Sequence, residues 1–196
     1  MGPSNLAEKR DERFTYGQYY HWDDGERWEL IDGVPYNMTP APRRRHQGIL
    51  IHVASRIENF LRDKPCQIYS APFDVRLPDF DEQDDDEVPT VVQPDLVVVC
   101  DEKKLDDRGC RGAPDLVVEI LSSSTSRKDL TVKFDLYERA GVREYWIIHP
   151  SEESLMIFTL GRDGTYGRPQ GYGRGDRVTS TVLEGLELDL EEVFID

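Results

Sequence analysis

The stretch QPDLVVVCDEKKLDDRGCRGAPDLVVEIL, residues 93–121, decides the fold. Two Pro-Asp pairs each open an apolar, β-branched run, LVVV at 96–99 and LVVEIL at 116–121, with a polar segment between them. Short runs of this composition, bounded by turn residues, predict two strands. Side chains alternate faces along a strand, so Asp95, Val97 and Val99 share one face of the first, and Asp115, Val117 and Glu119 share one of the second. If the strands pair antiparallel with Val99 opposite Asp115, Asp95 stands opposite Glu119, with Cβ atoms roughly 5 Å apart. Two carboxylates so placed can share a divalent ion. Asp115 and Glu119 lie roughly 13 Å apart along one strand and cannot. A carboxylate inside LVVEIL is costly unless paired, hydrogen-bonded or metal-bound, so Glu119 needs either an ion, a salt bridge or a strand end that reaches water. Asp115 is explained by turn chemistry at a strand start.

Outward from this pair, CQIYSAPFDVRL at 66–77 predicts another strand. RRRHQGILIHVASRIENFLRD at 43–63 predicts a helix whose apolar face holds His46, Ile49, Leu50, Val53, Ile57, Phe60 and Leu61. Upstream, FTYGQYYHW at 14–22 reads as a short helix capped by Thr15, and RWELIDGVPYNM at 27–38 as a hairpin turning at Asp32-Gly33. Downstream, SSSTSRKD at 122–129 supplies caps for a helix over DLTVKFDLYERA, ended by Gly141, and EYWIIHP at 144–150 is a strand. Within that helix Leu130, Phe134 and Tyr137 mark the buried stripe, and Lys133 falls inside it, aimed at the sheet unless its long stem lets it snorkel out. The tail, with LMIFTL, turns at GRDG and GRGD, and LEGLELDLEEVF, reads as an antiparallel addition. The order helix, three strands, helix, strand predicts an α/β (α+β mixed) fold: a mixed four-stranded sheet flanked by helices, with an N-terminal hairpin and a C-terminal antiparallel extension.

A chain of 196 residues is long enough for one sizeable core, and residues 15–196 are expected to form one domain, with 1–14 a poorly ordered N-terminus. No apolar run approaches the roughly 18 residues that span a bilayer, and the N-terminus has no signal-peptide core, so the chain is expected to be soluble and cytoplasmic, without a membrane partner. Cys66, Cys100 and Cys110 form no C-x-x-C pair and read as buried or incidental thiols, neither a disulfide framework nor a zinc site. The net charge of -15 opposes non-specific attraction to nucleic acid. It is uneven: DFDEQDDDE at 79–87 reads as a solvated acidic loop, whereas PRRRH at 42–46 is locally basic. His46 reads either as a satisfied core histidine or as a site residue, and Glu29, in WELI, as an exposed strand residue or a member of the same pocket.

Together these residues resemble the PD-(D/E)xK nuclease superfamily and, more closely, the Uma-type family of restriction-endonuclease-like proteins. The resemblance rests on WELIDGVPYNM, PRRRHQ, APFDVRL, VQPDLVVV, GAPDLVVEILSSST, KDLTVKFDLYERAGVREYWIIHP and GLELDLEEVF, which span most of residues 15–195 in order. It implies a restriction-endonuclease-like core and a metal-dependent endonuclease acting on DNA. Asp95 and Glu119 would be the catalytic acids and metal ligands for Mg²⁺ or Mn²⁺, and Lys133 the catalytic lysine. Leu121 stands where E-x-K places lysine, so the cation would come from the next helix; Ser123 replaces a proline usual in the family. His46 and Glu29 match retained positions and are additional candidates. Arg43, Arg44 and Arg45 are candidates for phosphate contact, with a solvated helix start as the plainer reading. Family analogy also implies a homodimer. Two other readings stay open. One is a catalytically silent nucleic-acid or protein-interaction module that retains the nuclease fold, favoured by Leu121 and the acidic balance. The other is a metal-dependent enzyme for some other phosphorylated or small substrate.

Overall fold

The computed structural model of the chain describes residues 12–38, 42–80, 84–123 and 125–195. Of the N-terminal stretch expected to be poorly ordered, residues 1–11 lie outside these; Phe14 packs in a small aromatic cluster with Tyr16 and Trp22. The strands, in chain order, are β1 (Trp28–Ile31), β2 (Val34–Asn37), β3 (Gln67–Ser70), β4 (Val75–Arg76), β5 (Val91–Val92), β6 (Leu96–Val99), β7 (Leu105–Asp106), β8 (Gly109–Arg111), β9 (Leu116–Ile120), β10 (Glu144–His149), β11 (Ser154–Thr159), β12 (Gln170–Gly173), β13 (Arg177–Thr179) and β14 (Glu187–Asp189). The helices are α1 (Tyr16–Tyr19), α2 (Arg44–Leu61), α3 (Ser126–Leu130), α4 (Val132–Ala140) and α5 (Leu190–Val193).

The main sheet runs β12-β11-β10-β9-β6-β3. Its centre is the expected four-stranded mixed unit: β6 is antiparallel to β3 and β9, and β9 is parallel to β10. The parallel step requires a crossover, which α3 and α4 supply. Strand alternation then builds two cores. Leu96, Val98, Leu116, Val118 and Ile120 cluster with Ile49, Val53, Ile57 and Leu61 of α2. Val97, Val99 and Val117 point the other way and cluster with Leu136 and Tyr137 of α4.

The helix expected over 129–140 is broken. At Thr131 the backbone leaves helical values (φ -127, ψ -76), and its hydroxyl donates to Arg127 O (2.6 Å), a local bond that competes with helix continuation. The break also turns Leu130 outward, 41% exposed, so the buried face of α4 is Lys133, Leu136 and Tyr137 rather than a stripe beginning at Leu130. Gly141 ends α4 in the left-handed conformation (φ 86), as anticipated.

A second sheet, β2-β1-β5-β4-β8-β7, was only half foreseen. Its hairpin turns at Asp32 (φ 52) and Gly33 (φ 76), both left-handed, as a tight two-residue turn demands. The polar segment 101–112 forms another hairpin, β7–β8, and Gly109 (φ 123) lies so close to Asp74 that a Cβ there would sit 2.2 Å from its carbonyl oxygen. Nor is the acidic run merely solvated. Arg76, fully buried, bonds Asp85 and Asp106 (2.6 Å each), fastening that run to the β7–β8 hairpin. The cysteine expectation fails as well: Cys66 and Cys100 form a disulfide, because the β3/β6 register that pairs Gln67 with Val99 sets them opposite one another. Cys110 is free and buried.

The tail adds β11 antiparallel to β10, β12 antiparallel to β11, and the β13–β14 pair, although residues 190–193 are helical. One residue anchors it. Glu144, fully buried on β10, accepts from Trp146 Nε1 (2.9 Å), Ser180 Oγ (2.8 Å), Thr181 N (2.6 Å) and Thr181 Oγ1 (2.5 Å). Glu144→Ala strands these donors and is expected to destabilise the chain by about 3 kcal/mol, a fall in Tm of about 6–12 °C. Thermal melting of the variant checks this; an unchanged Tm would mean that the tail is held elsewhere.

Candidate active site

The β6/β9 register, Leu96 with Val118, Val97 with Val117 and Val98 with Leu116, continues to set Asp95 opposite Glu119. Glu119 is bonded from α4, whereas Asp95, just before β6, is bonded from α2 and β9. Asp95 Oδ2 accepts the Ile120 backbone N–H (2.8 Å) and bonds His46 Nε2 (3.2 Å), which fixes its orientation. Glu119 Oε1 accepts from Lys133 Nζ (2.8 Å) and Tyr137 Oη (2.9 Å), both on α4. Lys133 does not snorkel. It is 2% exposed and also pairs with Glu29 Oε1 (2.7 Å), while Lys128 pairs with Glu29 Oε2 (2.6 Å). Glu29 itself is fully buried and not an exposed strand residue; its Oε1 further accepts the Gln93 N–H (2.9 Å). Asp129, on α3, stands 4.0 Å from Lys133.

The electrostatics separate the two glutamates. Burial disfavours the Glu29 carboxylate, but Lys133 and Lys128 together outweigh it and hold its pKa at about 2. Burial lifts Glu119 to about 8, against Lys133 and with the help of Asp129, Asp95 and Glu29. Burial likewise raises Asp129, whereas the surrounding carboxylates, Glu119 first, raise Lys133 well above the usual range despite burial. For Glu29 the folded pKa lies below the unfolded one, so its contribution to stability, on the order of 3 kcal/mol, is complete above about pH 4.5 and is lost as pH falls through about 2. Melting curves between pH 5 and pH 2 are expected to fall more steeply for the native chain than for Glu29→Gln; parallel curves would show that this pairing stores no such energy.

The remaining candidates divide. His46, 9% exposed in the first turn of α2, touches Asp95; burial lowers its pKa, but the Asp95 bond and charge raise it overall. Its Nδ1 is buried without a partner among the described residues. Arg45 is engaged by Glu153, whereas Arg43 and Arg44 are exposed at the same end of α2 as His46. Leu121 is buried in the α4-side apolar cluster. Asp115 accepts from the Cys100 N–H (2.8 Å) and Arg143 (3.1 Å), in keeping with strand-start chemistry. Four participants escaped sequence reading. Tyr137 is an ordinary stripe residue until its hydroxyl is placed, and Lys128 and Asp129 depend on the helix break. Gln93 immediately precedes the Pro-Asp pair and bonds Glu29 through its backbone.

Among the described residues no cluster of three or more His, Cys, Asp and Glu side chains is arranged to hold an ion. The donor set nevertheless fits Mg²⁺, which takes one or two carboxylates and completes its shell with water and phosphate. The bonds described above engage Asp95 Oδ2 and Glu119 Oε1, leaving Asp95 Oδ1 and Glu119 Oε2 for a ligand. Four acids, Glu29, Asp95, Glu119 and Asp129, meet three basic groups, His46, Lys128 and Lys133, in this network, so the balance leans acidic. No helix among the described residues is long and apolar enough to cross a membrane.

Comparison with known proteins bears on family and fold. The family model described as "Uma2: Putative restriction endonuclease" matches residues 16–191, a span containing Glu29, His46, Asp95, Glu119 and Lys133. The uncharacterized protein slr1290 of Synechocystis sp. (strain ATCC 27184 / PCC 6803 / Kazusa) is 24% identical over 152 residues, 76% of this chain and 75% of that protein. A crystal structure from Anabaena variabilis ATCC 29413, described as "a putative nuclease belonging to DUF820", has a TM-score of 0.72 at 17% identity, covering 92% of this chain and 97% of that one. That likeness is one of fold.

Proposed function

The chain belongs to the Uma2 family of restriction-endonuclease-like proteins, and from that premise we propose that it is a metal-dependent nuclease hydrolysing phosphodiester bonds in DNA. The observation that carries this reading is Asp95 opposite Glu119, with Lys133 bonded to Glu119. Asp95 and Glu119 would hold Mg²⁺ or Mn²⁺, which when bound supplies phosphate polarisation and a water of lowered pKa. The rest of the work belongs to the chain. His46 and the Ile120 N–H lock Asp95, and Lys133 and Tyr137 lock Glu119, so the ligand oxygens are preorganised. Lys133 brings a fixed positive charge to the place where negative charge develops on the phosphate. Arg43 and Arg44 offer exposed cations for strand phosphates at the His46 end of α2. Pairing of two such chains, each with one site, would let both strands of a duplex be cut.

The test combines calorimetry with cleavage. Mg²⁺ or Mn²⁺ is expected to bind the native chain, to bind far more weakly to Asp95→Ala and Glu119→Ala, and to be required for nicking of plasmid DNA and single-stranded DNA. Binding of DNA with no affinity for either ion would sink the nuclease and point to the silent interaction module.

A further inference from the structure

An open cleft of about 370 Å³ lies on the connection between β3 and β4, beside Gln93 on the segment that leads into β6. Ala71 N donates to the backbone oxygen of Asp95 (3.2 Å), and the next three residues, Pro72, Phe73 and Asp74, line the cleft. At about 3.8 Å per residue, that wall begins within roughly one nucleotide's reach of Asp95. Gln93, two residues before Asp95, lines it too; its Nε2 donates to Asp74 Oδ1 (2.8 Å) and Tyr19 Oη (3.0 Å).

The lining favours one kind of group. Phe73 stacks on Tyr69 with ring centroids 4.3 Å apart, and Tyr20, 52% exposed, carries the Arg108 guanidinium 4.8 Å above its ring. These are flat surfaces for a flat ligand. The Tyr19 and Gln93 bonds to Asp74 both fall on Oδ1, and the Tyr16 hydroxyl also stands beside the carboxyl, so among the described residues Oδ2 is the oxygen that a further N–H donor would reach. Burial raises the Asp74 carboxyl above its usual range in spite of those bonds, so a further donor there is favourable. A phosphate is unwelcome: Asp106 and Asp107 also line the cleft, and Arg108 is already engaged by Asp86 (3.3 Å) and Asp85 (3.6 Å). What fits is the neutral, planar part of a nucleotide.

We propose that this cleft is a subsite for one unpaired nucleobase bearing an exocyclic amino group, on the strand whose phosphate lies at Asp95 and Glu119; it rests on the nuclease reading above. The base stacks on Phe73 and donates its amino hydrogen to Asp74. A base inside a duplex has its faces stacked and its amino group paired, so the subsite selects single-stranded or locally opened DNA.

The probe is a short single strand carrying one 2-aminopurine, titrated in EDTA at fixed low salt with the full-length chain. Quenching is expected for the single strand and not for the same base in a duplex. Phe73→Ala and Asp74→Asn should weaken binding by about 5- to 100-fold. Native-like binding by both cleft variants, each with a native circular dichroism spectrum, overturns the subsite even if metal-dependent cleavage is intact. Should Phe73→Ala fail to fold, Asp74→Asn decides, because its amide oxygen can keep the Tyr19 and Gln93 bonds. Phe73-dependent quenching in a chain that never cleaves DNA overturns the nuclease reading and leaves the subsite standing.

Discussion

Glu119→Gln is expected to lower metal-dependent hydrolysis by at least about a thousandfold, equivalent to about 4 kcal/mol of transition-state stabilisation, while the variant melts no lower than the native chain. The two halves of this expectation come from one geometry. Glu119 is buried beside Asp95, Asp129 and Glu29, and burial with those neighbours pushes its carboxyl up to about 8. A charge so poorly placed for stability can be removed cheaply, because glutamine keeps the shape and an oxygen for Lys133 and Tyr137. Steady-state cleavage of plasmid DNA and a melting curve on the same preparation check both parts. Loss of activity together with a large fall in Tm would mean that Glu119 serves mainly as a structural partner of Lys133.

Lys133→Met should have the opposite balance. The side chain is 2% exposed and bonds both Glu29 (2.7 Å) and Glu119 (2.8 Å), so its removal leaves buried carboxylates facing one another with Lys128 alone against them. Breaking one partner of a buried ionic group costs about 3–5 kcal/mol, here about 6–20 °C in Tm, and cleavage should be lost as well. Lys128→Met, which strands only one bond of a side chain that is 17% exposed, should cost less than half as much. Equal melting of the two lysine variants would show that Lys133 holds no special place in the network.

Much of this geometry was legible because it is local and periodic. Alternation along two apolar runs grouped Asp95 with Glu119, and an antiparallel register supplied the pairing that is found. Helical spacing put Lys133 and His46 on buried faces, and both are buried. What escaped depends on distant chain segments or on breaks in periodicity. The run 66–77 reads as one strand but divides into β3 and β4 of different sheets, and β5, β7 and β8 are two or three residues long with no alternation to read, so of the second sheet the β1–β2 hairpin was legible while its assembly and the burial of Arg76 were not. Glu29 is open to two readings in the sequence, an exposed strand residue or a member of the pocket, and the pairing of β1 with β5, which brings it to Gln93, is what decides for the pocket. The kink at Thr131 cannot be read from propensity, since a threonine in mid-helix is ordinary; only its bond to Arg127 reveals the choice made.

The bond between Cys66 and Cys100 makes a covalent ring of the chain between them. β4, β5, the acidic run and the Asp95 strand all belong to that ring, while α2 enters it at one end and the β7–β8 hairpin leaves it at the other. A protease that cuts the acidic run therefore opens a circle instead of severing a line. The nicked molecule keeps its mass and releases two fragments only after reduction, so a gel run with and without thiol would map the enclosed segment directly.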